Sequence, residues 1–240
     1  MITKVLGKKV KNYSKASSKT LDPIDRGLRR SSHGVDYWNA YEFSFLEKKN
    51  NPVLKVLEIQ IPSSSKYTVE SKSLKIYLNS FYNKKFNKDS DALLKIKSDL
   101  DKLTKSKIKA KFISKFNNFP DSINLKTLKT ANTKPNKVYC FEGFRSICPV
   151  TSQPDFANIY ILASKPLNTS WLIKYFKSYR ERGDFHEHCI ESMFEDIQTQ
   201  SCCNSLEITG RFMRRGGIDI NPIRSSSKKL FFKNFRFFNQ

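Results

Sequence analysis

The chain has 240 residues, 38% of them apolar, with 19 Phe and 10 Tyr, which suffices for the core of one large domain or two small ones and argues against global disorder. Its 44 Lys and Arg against 22 Asp and Glu give a formal net charge of +22, a balance that favours polyanions, membrane surfaces or phosphate-bearing ligands. No apolar run has the length of a membrane span, the basic opening MITKVLGKKVKNYSK lacks a signal peptide's apolar stretch, and the 5 cysteines form no C-x-x-C pair. A cytoplasmic protein without a disulfide framework, structural zinc or membrane contact is expected. The lysines are spread among many asparagines, which reads as composition rather than as a nucleic-acid-binding stripe.

YEFSFL (41–46) and VLKVLEIQIP (53–62) alternate around the turn-forming KKNN and predict a β-hairpin. Glu70 precedes a helix start that Ser71 or Ser73 is placed to cap. Leu93, Ile96, Leu100 and Leu103 then fall on one helical face, with Asp89 or Ser90 as cap, and KIKAKFISKF (107–116) alternates as a strand. The polar stretch 117–137 interrupts the pattern and sets a boundary near residue 134. Beyond it KVYCFEGFRSI and FANIYILAS predict strands, HCIESMFEDI places Cys189, Ile190, Met193, Phe194 and Ile197 at helical spacing, and LEITGRFM predicts a strand.

The element order is therefore written twice. LNSFYNKKF (78–86) aligns with FKSYRERGDF (176–185), bringing Tyr77 and Ser80 onto Tyr175 and Ser178. Two α+β modules are expected, 1–134 and 135–240, each a small antiparallel sheet with helices on one face. The copies differ in their polar residues. VESKSLK (69–75) occurs only in the first, FHEH (185–188) and ICPVTSQPDF (147–156) only in the second, which implies one composite site shared by both.

Cys148 and Asp155 are a thiol and a carboxyl separated by a stretch that Pro149 and Pro154 keep from being a helix. As thiolate the first adds to an electrophilic carbon, and the second can carry the proton that such a step requires. The alternative is a buried cysteine beside an exposed turn aspartate. Glu187, after His186, stands at a helix start, where a carboxylate either caps or accepts two hydrogen bonds from a guanine-type edge. Near Glu70, backbone N–H groups with Lys72 and Lys75 are suited to a phosphate. RRGG (214–217) sets two guanidiniums beside backbone that a ligand can approach closely.

In this order E-S-K-S-L-K, C-P-V-T-S-Q-P-D, F-H-E and R-R-G-G-I-D-I-N-P resemble the bimodular 7-cyano-7-deazaguanine reductases, the QueF family, as do GVDYWNAYEFSFL (34–46) and LDPIDR (21–26). The resemblance spans most of residues 20 to 225. It implies the tunnelling fold, an α+β architecture of two tandem ferredoxin-like modules, a homodimer, and NADPH-dependent reduction of a nitrile to an amine in queuosine biosynthesis. Carried over by motif, Cys148 forms a thioimide with the nitrile carbon and Asp155 donates protons. Val69, Glu70, Ser71, His186 and Glu187 bind the deazapurine substrate, and Ser71, Lys72, Arg215 and Gly216 bind NADPH. No metal and no direct nucleic-acid contact are implied. The stretch between Phe81 and Cys148 is short for a bimodular member, and SSSKKLFFKNFRFFNQ (225–240) runs past the usual end, read as a frayed or dimer-packed segment in preference to a membrane- or RNA-touching tail. The competing readings are an RNA-binding protein, which explains the charge but leaves Cys148 and Asp155 idle, and another tunnelling-fold purine or pterin enzyme, whose zinc-ligand spacing is missing.

Overall fold

A computed structural model describes residues 17–27 and 32–240; the basic opening of the chain lies outside them. The described chain divides into two compact units, one of residues 17–27, 37–115 and 215–219, the other of residues 32–36, 116–214 and 220–240. The second thus includes the polar stretch 117–137, and the first takes in Arg215–Asp219 from far along the chain.

In the first unit β1 (Pro23–Asp25), β2 (His33–Leu46, of which 37–46 belong here), β3 (Pro52–Pro62) and β4 (Tyr67–Val69) lead into α1 (Ser71–Asn79), α2 (Asp89–Thr104) and β5 (Lys109–Ile113). The expected hairpin is β2–β3, closed by hydrogen bonds from Asn50 N to Glu47 O (2.9 Å) and from Glu47 N to Asn51 O (3.0 Å). β5 joins β3 antiparallel, with Ile59 opposite Ala110. Phe43, Phe45, Leu57, Ile59 and Ile61 of the sheet are buried, as are Leu74 and Tyr77 of α1 and Ile96 and Leu100 of α2. Of the helical stripe read from the sequence, Ile96 and Leu100 are buried and Leu93 and Leu103 half-buried, while Ala92, Asp99 and Thr104 complete the buried face of α2. Its first turn is closed by Asp91, which accepts from the N–H of Lys88, so the cap falls one residue before Asp89.

In the second unit β6 (Ile123–Asn124), β7 (Val138–Ile147), β8 (Pro154–Ala163), α3 (Thr169–Lys177), α4 (His186–Ser201), β9 (Leu206–Phe212) and β10 (Ile218–Ser225, of which 220–225 belong here) follow in chain order. The sheet order is β10-β9-β8-β7-β6, antiparallel except where β6 runs parallel to β7. Alternation assigns the faces of β8. Ile159 and Ile161 enter the core with Phe176 of α3 and Ile190, Met193 and Phe194 of α4, whereas Tyr160 meets the rings of Phe119, Phe232 and Phe235. The fold class is α+β, as expected.

The duplication recurs in detail. α1 and α3 each span 9 residues and α2 and α4 each span 16, and the longer pair ends on left-handed residues, Lys105 (φ 53°) and Cys202 (φ 48°). Tyr77 donates to Asp99 at 2.7 Å and Tyr175 to Asp196 at 2.5 Å, and each tyrosine carbonyl accepts from the equivalent serine, Ser80 or Ser178.

Candidate active site

The C-P-V-T-S-Q-P-D stretch is the connection of the β7–β8 hairpin. Cys148 N donates to Gln153 O (2.8 Å) and Ser152 N to Cys148 O (3.0 Å), with Ser152 left-handed at φ 55°. Pro149 fixes φ at the start of this turn, and Pro154 opens β8 opposite Ile147 without needing a ladder donor. The thiol of Cys148 is half-buried at the end of the hairpin, while Asp155, opposite Ser146, is buried. The alternative of an exposed turn aspartate is thereby excluded.

The segment preceding α4 is tied to the same hairpin end. Ile147 N donates to Arg182 O (2.9 Å) and Asp184 N to Ile147 O (3.0 Å), a parallel bridge centred on Gly183. Two residues later the chain enters α4 at His186, so its first turn is delivered to the hairpin end by backbone bonds. His186 Nε2 lies 3.2 Å from Asp155 Oδ2. Its imidazole stacks on Phe212 of β9, with centroids 3.9 Å apart and planes 8° from parallel. The Nδ1 atom is buried with no hydrogen-bond partner among the described residues. Glu187 is buried in the same first turn. Arg224 of β10 is wholly enclosed, 2.7 Å from Asp36 and 3.7 Å from Glu191. Burial works against the Arg224 charge, but Asp36, Glu191 and Glu187 outweigh it and raise its pKa.

Among the other cysteines, burial pushes Cys140 up to about 12 and Cys189 higher still, which keeps both as thiols. Cys148 differs from them in its exposure.

The first unit holds the remaining motif residues. Val69 ends β4 and is buried. Glu70, not Ser71 or Ser73, caps α1, accepting from Lys72 N (2.8 Å) and Ser73 N (2.7 Å). These two N–H groups are thus directed to a carboxylate, and the backbone phosphate cradle expected there is already filled. What remains for an anion is side-chain charge. Ser71 and Lys72 are half-exposed on the first turn of α1. Lys75, one turn on, donates to Arg215 O (2.9 Å). Arg215 and Ile218 close a two-residue turn in which Gly216 (φ 55°) and Gly217 (φ 81°) are both left-handed, as a type I′ hairpin requires. Close approach is the second demand on this pair: a Cβ at Gly216 would lie 2.4 Å from Lys75 Nζ, and one at Gly217 2.6 Å from Glu42 Oε2. Burial first, and then the Arg215 guanidinium, lower the pKa of Lys75. Crowded cations of this kind fit a phosphate-bearing cofactor, whose charge relieves their repulsion.

Sequence reasoning missed Phe212 and the Asp36–Arg224 pair. A phenylalanine ending a strand and an arginine in a polar stretch carry no local signal of the groups they meet.

The α+β fold of largely antiparallel sheet with helices packed on it fits the tunnelling-fold class. Residues 15–112 match the family described as nitrile reductase, 7-cyano-7-deazaguanine-reductase N-term, and residues 154–230 match that of the QueF-like proteins. The chain is 34% identical over 249 residues to the NADPH-dependent 7-cyano-7-deazaguanine reductase of Coxiella burnetii (strain RSA 493 / Nine Mile phase I), covering 91% of this chain and 90% of that one. It is 32% identical over 239 residues to the protein of the same name from Xylella fastidiosa (strain M23), covering 87% of each. The chain belongs to the 7-cyano-7-deazaguanine reductase family.

Proposed function

We propose that this protein reduces the nitrile of 7-cyano-7-deazaguanine to the primary amine of 7-aminomethyl-7-deazaguanine, a step of queuosine biosynthesis, using NADPH. The carrying observation is the half-buried Cys148 thiol on the hairpin that also holds Asp155, with Asp155 paired to His186 at 3.2 Å. Cys148 Sγ adds as thiolate to the nitrile carbon: a C–S bond forms, one C–N π bond breaks, and the nitrogen takes a proton from the Asp155 carboxyl, giving a thioimide. When bound, NADPH supplies one hydride for each of the two two-electron reductions. The C–S bond breaks after the first of them and the electron pair returns to Cys148. Asp155 and His186, in contact, relay the proton that each reduction requires. Glu187 accepts hydrogen bonds from the guanine-type edge, with His186 as a further substrate contact in the same unit; Val69, Glu70 and Ser71 of the first unit are assigned to substrate by the family's motif. Ser71, Lys72, Arg215 and Gly216, with Lys75, hold the phosphates of NADPH.

Addition to a nitrile expels nothing, so protein mixed with the nitrile alone should gain the substrate's full mass at Cys148. With NADPH, two nicotinamides should be oxidised per nitrile consumed. A Cys148→Ala protein that still turned over would sink the mechanism, and an inert wild-type protein would sink the reaction.

A further inference from the structure

Residues 225–240, expected to fray or to pack in a dimer, are built onto the second unit. The carboxylate of Glu207 accepts from the backbone N–H of Phe231 (3.0 Å) and Phe232 (2.7 Å). Phe232 and Phe235 are buried, the latter beneath the Arg211 guanidinium at 4.0 Å from its ring centre. Asn117 N donates to Asn234 O (3.0 Å). The strap then reaches Gln240, whose Oε1 accepts from Phe237 N (2.8 Å) and whose Nε2 donates to Asn221 Oδ1 (2.8 Å) and to the carbonyl of Phe212 (3.0 Å).

Phe212 is the residue on whose ring His186 stacks. Contacts thus run without a gap from Gln240 to Phe212, from Phe212 to His186, and from His186 to Asp155. His186 has few other restraints. It is the first residue of α4, the N-cap Phe185 offers no side-chain bond, and Nδ1 has no partner among the described residues. The aromatic platform and the Asp155 contact therefore set the ring's orientation between them. Phe212 is in turn the last residue of β9, where the ladder ends and a bond from outside the sheet matters most.

We infer that Gln240 is a positioning residue for the His186–Asp155 pair, acting through the backbone of Phe212. The inference rests on the catalytic role proposed for that pair. A misplacement of about 1 Å can cost about 10²-fold in rate, so one lost anchor has room to register. Gln240→Met keeps the side chain's length and removes its donor. Phe212→Leu keeps apolar volume and removes the stacking ring.

The test uses the full chain and two readings. The first is the NMR position of the His186 ring protons, assigned among the 3 histidines by comparison with His186→Gln. Stacking on Phe212 should displace them upfield in the wild type. Phe212→Leu should abolish that displacement and Gln240→Met should reduce it. The second reading is kinetic: Gln240→Met should lower kcat by about tenfold or more and leave the KM for NADPH unchanged. Unchanged His186 signals in Gln240→Met overturn the inference, and so does a moved signal with wild-type kcat. The NMR reading needs no turnover, so an inactive wild-type protein refutes the proposed reaction while the strap is still judged by the histidine. Should Phe212→Leu fail to fold, Gln240→Met decides alone.

Discussion

Asp155 and His186 meet at 3.2 Å, the carboxylate from the second residue of a strand and the imidazole from the first residue of a helix. Both are enclosed, Asp155 at 4% exposure and the His186 side chain at 13%, so a proton passing between them is poorly exchanged with solvent. Positioned acid–base groups contribute about 10²–10⁴ in rate, and Asp155→Asn and His186→Gln should each lose an amount in that range. If the two act as one relay, the double variant should be little worse than the more damaged single variant. A double-mutant cycle on kcat/KM measures this, and additive losses would separate their roles.

Glu187 is buried in the first turn of α4, where a carboxylate can accept hydrogen bonds from a bound guanine-type edge. A charge-assisted hydrogen bond contributes about 1.5–3 kcal/mol, so Glu187→Gln should weaken nitrile binding by roughly one to two orders of magnitude. Calorimetry in a Cys148→Ala background isolates binding from adduct formation. Affinity equal to that of the background protein would remove Glu187 from the substrate contacts.

The tyrosine–aspartate pairs provide a stability test, because the same bond occurs once in each unit in different surroundings. Tyr77 and Asp99 are both buried, whereas Asp196 is exposed. Tyr77→Phe leaves a buried carboxylate short of a donor and should cost about 1–3 kcal/mol. Tyr175→Phe leaves one that water can reach and should cost less at the carboxylate, so it is compared in a Tyr179→Phe background that removes the second bond of the Tyr175 hydroxyl (2.9 Å). Denaturant unfolding of both variants gives the ordering, and equal losses would contradict the burial argument.

These pairs also mark where the sequence was legible. Helical stripes such as Ile96–Leu100 and Ile190–Met193–Phe194 persist because packing against a sheet demands them at fixed spacing. The Cys148 turn was readable because its prolines act locally. β10 was not, since Asp219, Asn221 and Arg224 are as buried as Ile220 and Ile223 and no alternation survives. The capping role of Glu70 was hidden because serine is the commoner cap and two serines follow it. The contact of Asp155 with His186 depends on the bridge between Ile147 and residues 182–184, a tertiary pairing with no local signature. The anchoring of Phe232, Asn234 and Phe235 within residues 225–240 was masked by the lysines around them.

Lys75 offers a test by pH as well as by cofactor. Burial, and then Arg215, hold its pKa below the ordinary 10.5. Between that lowered value and 10.5 the unfolded chain binds more protons than the folded one, so this residue's contribution to stability rises with pH through the window. At neutral pH, below both values, the burial of its charge is a net cost of folding that Glu70 and Glu42 only partly offset. The stability of the wild type relative to Lys75→Met should therefore improve as pH climbs towards 10.5, which thermal unfolding at several alkaline pH values measures. A flat difference would mean that Lys75 is not crowded. A phosphate-bearing ligand should relieve the same repulsion, so NADPH should raise the thermal stability of the wild type more than that of Lys75→Met. In turnover, Lys75→Met should raise the KM for NADPH and leave that for the nitrile nearly unchanged. If the nitrile's KM rose instead, the cations around the Gly216–Gly217 turn would be serving the substrate rather than the cofactor.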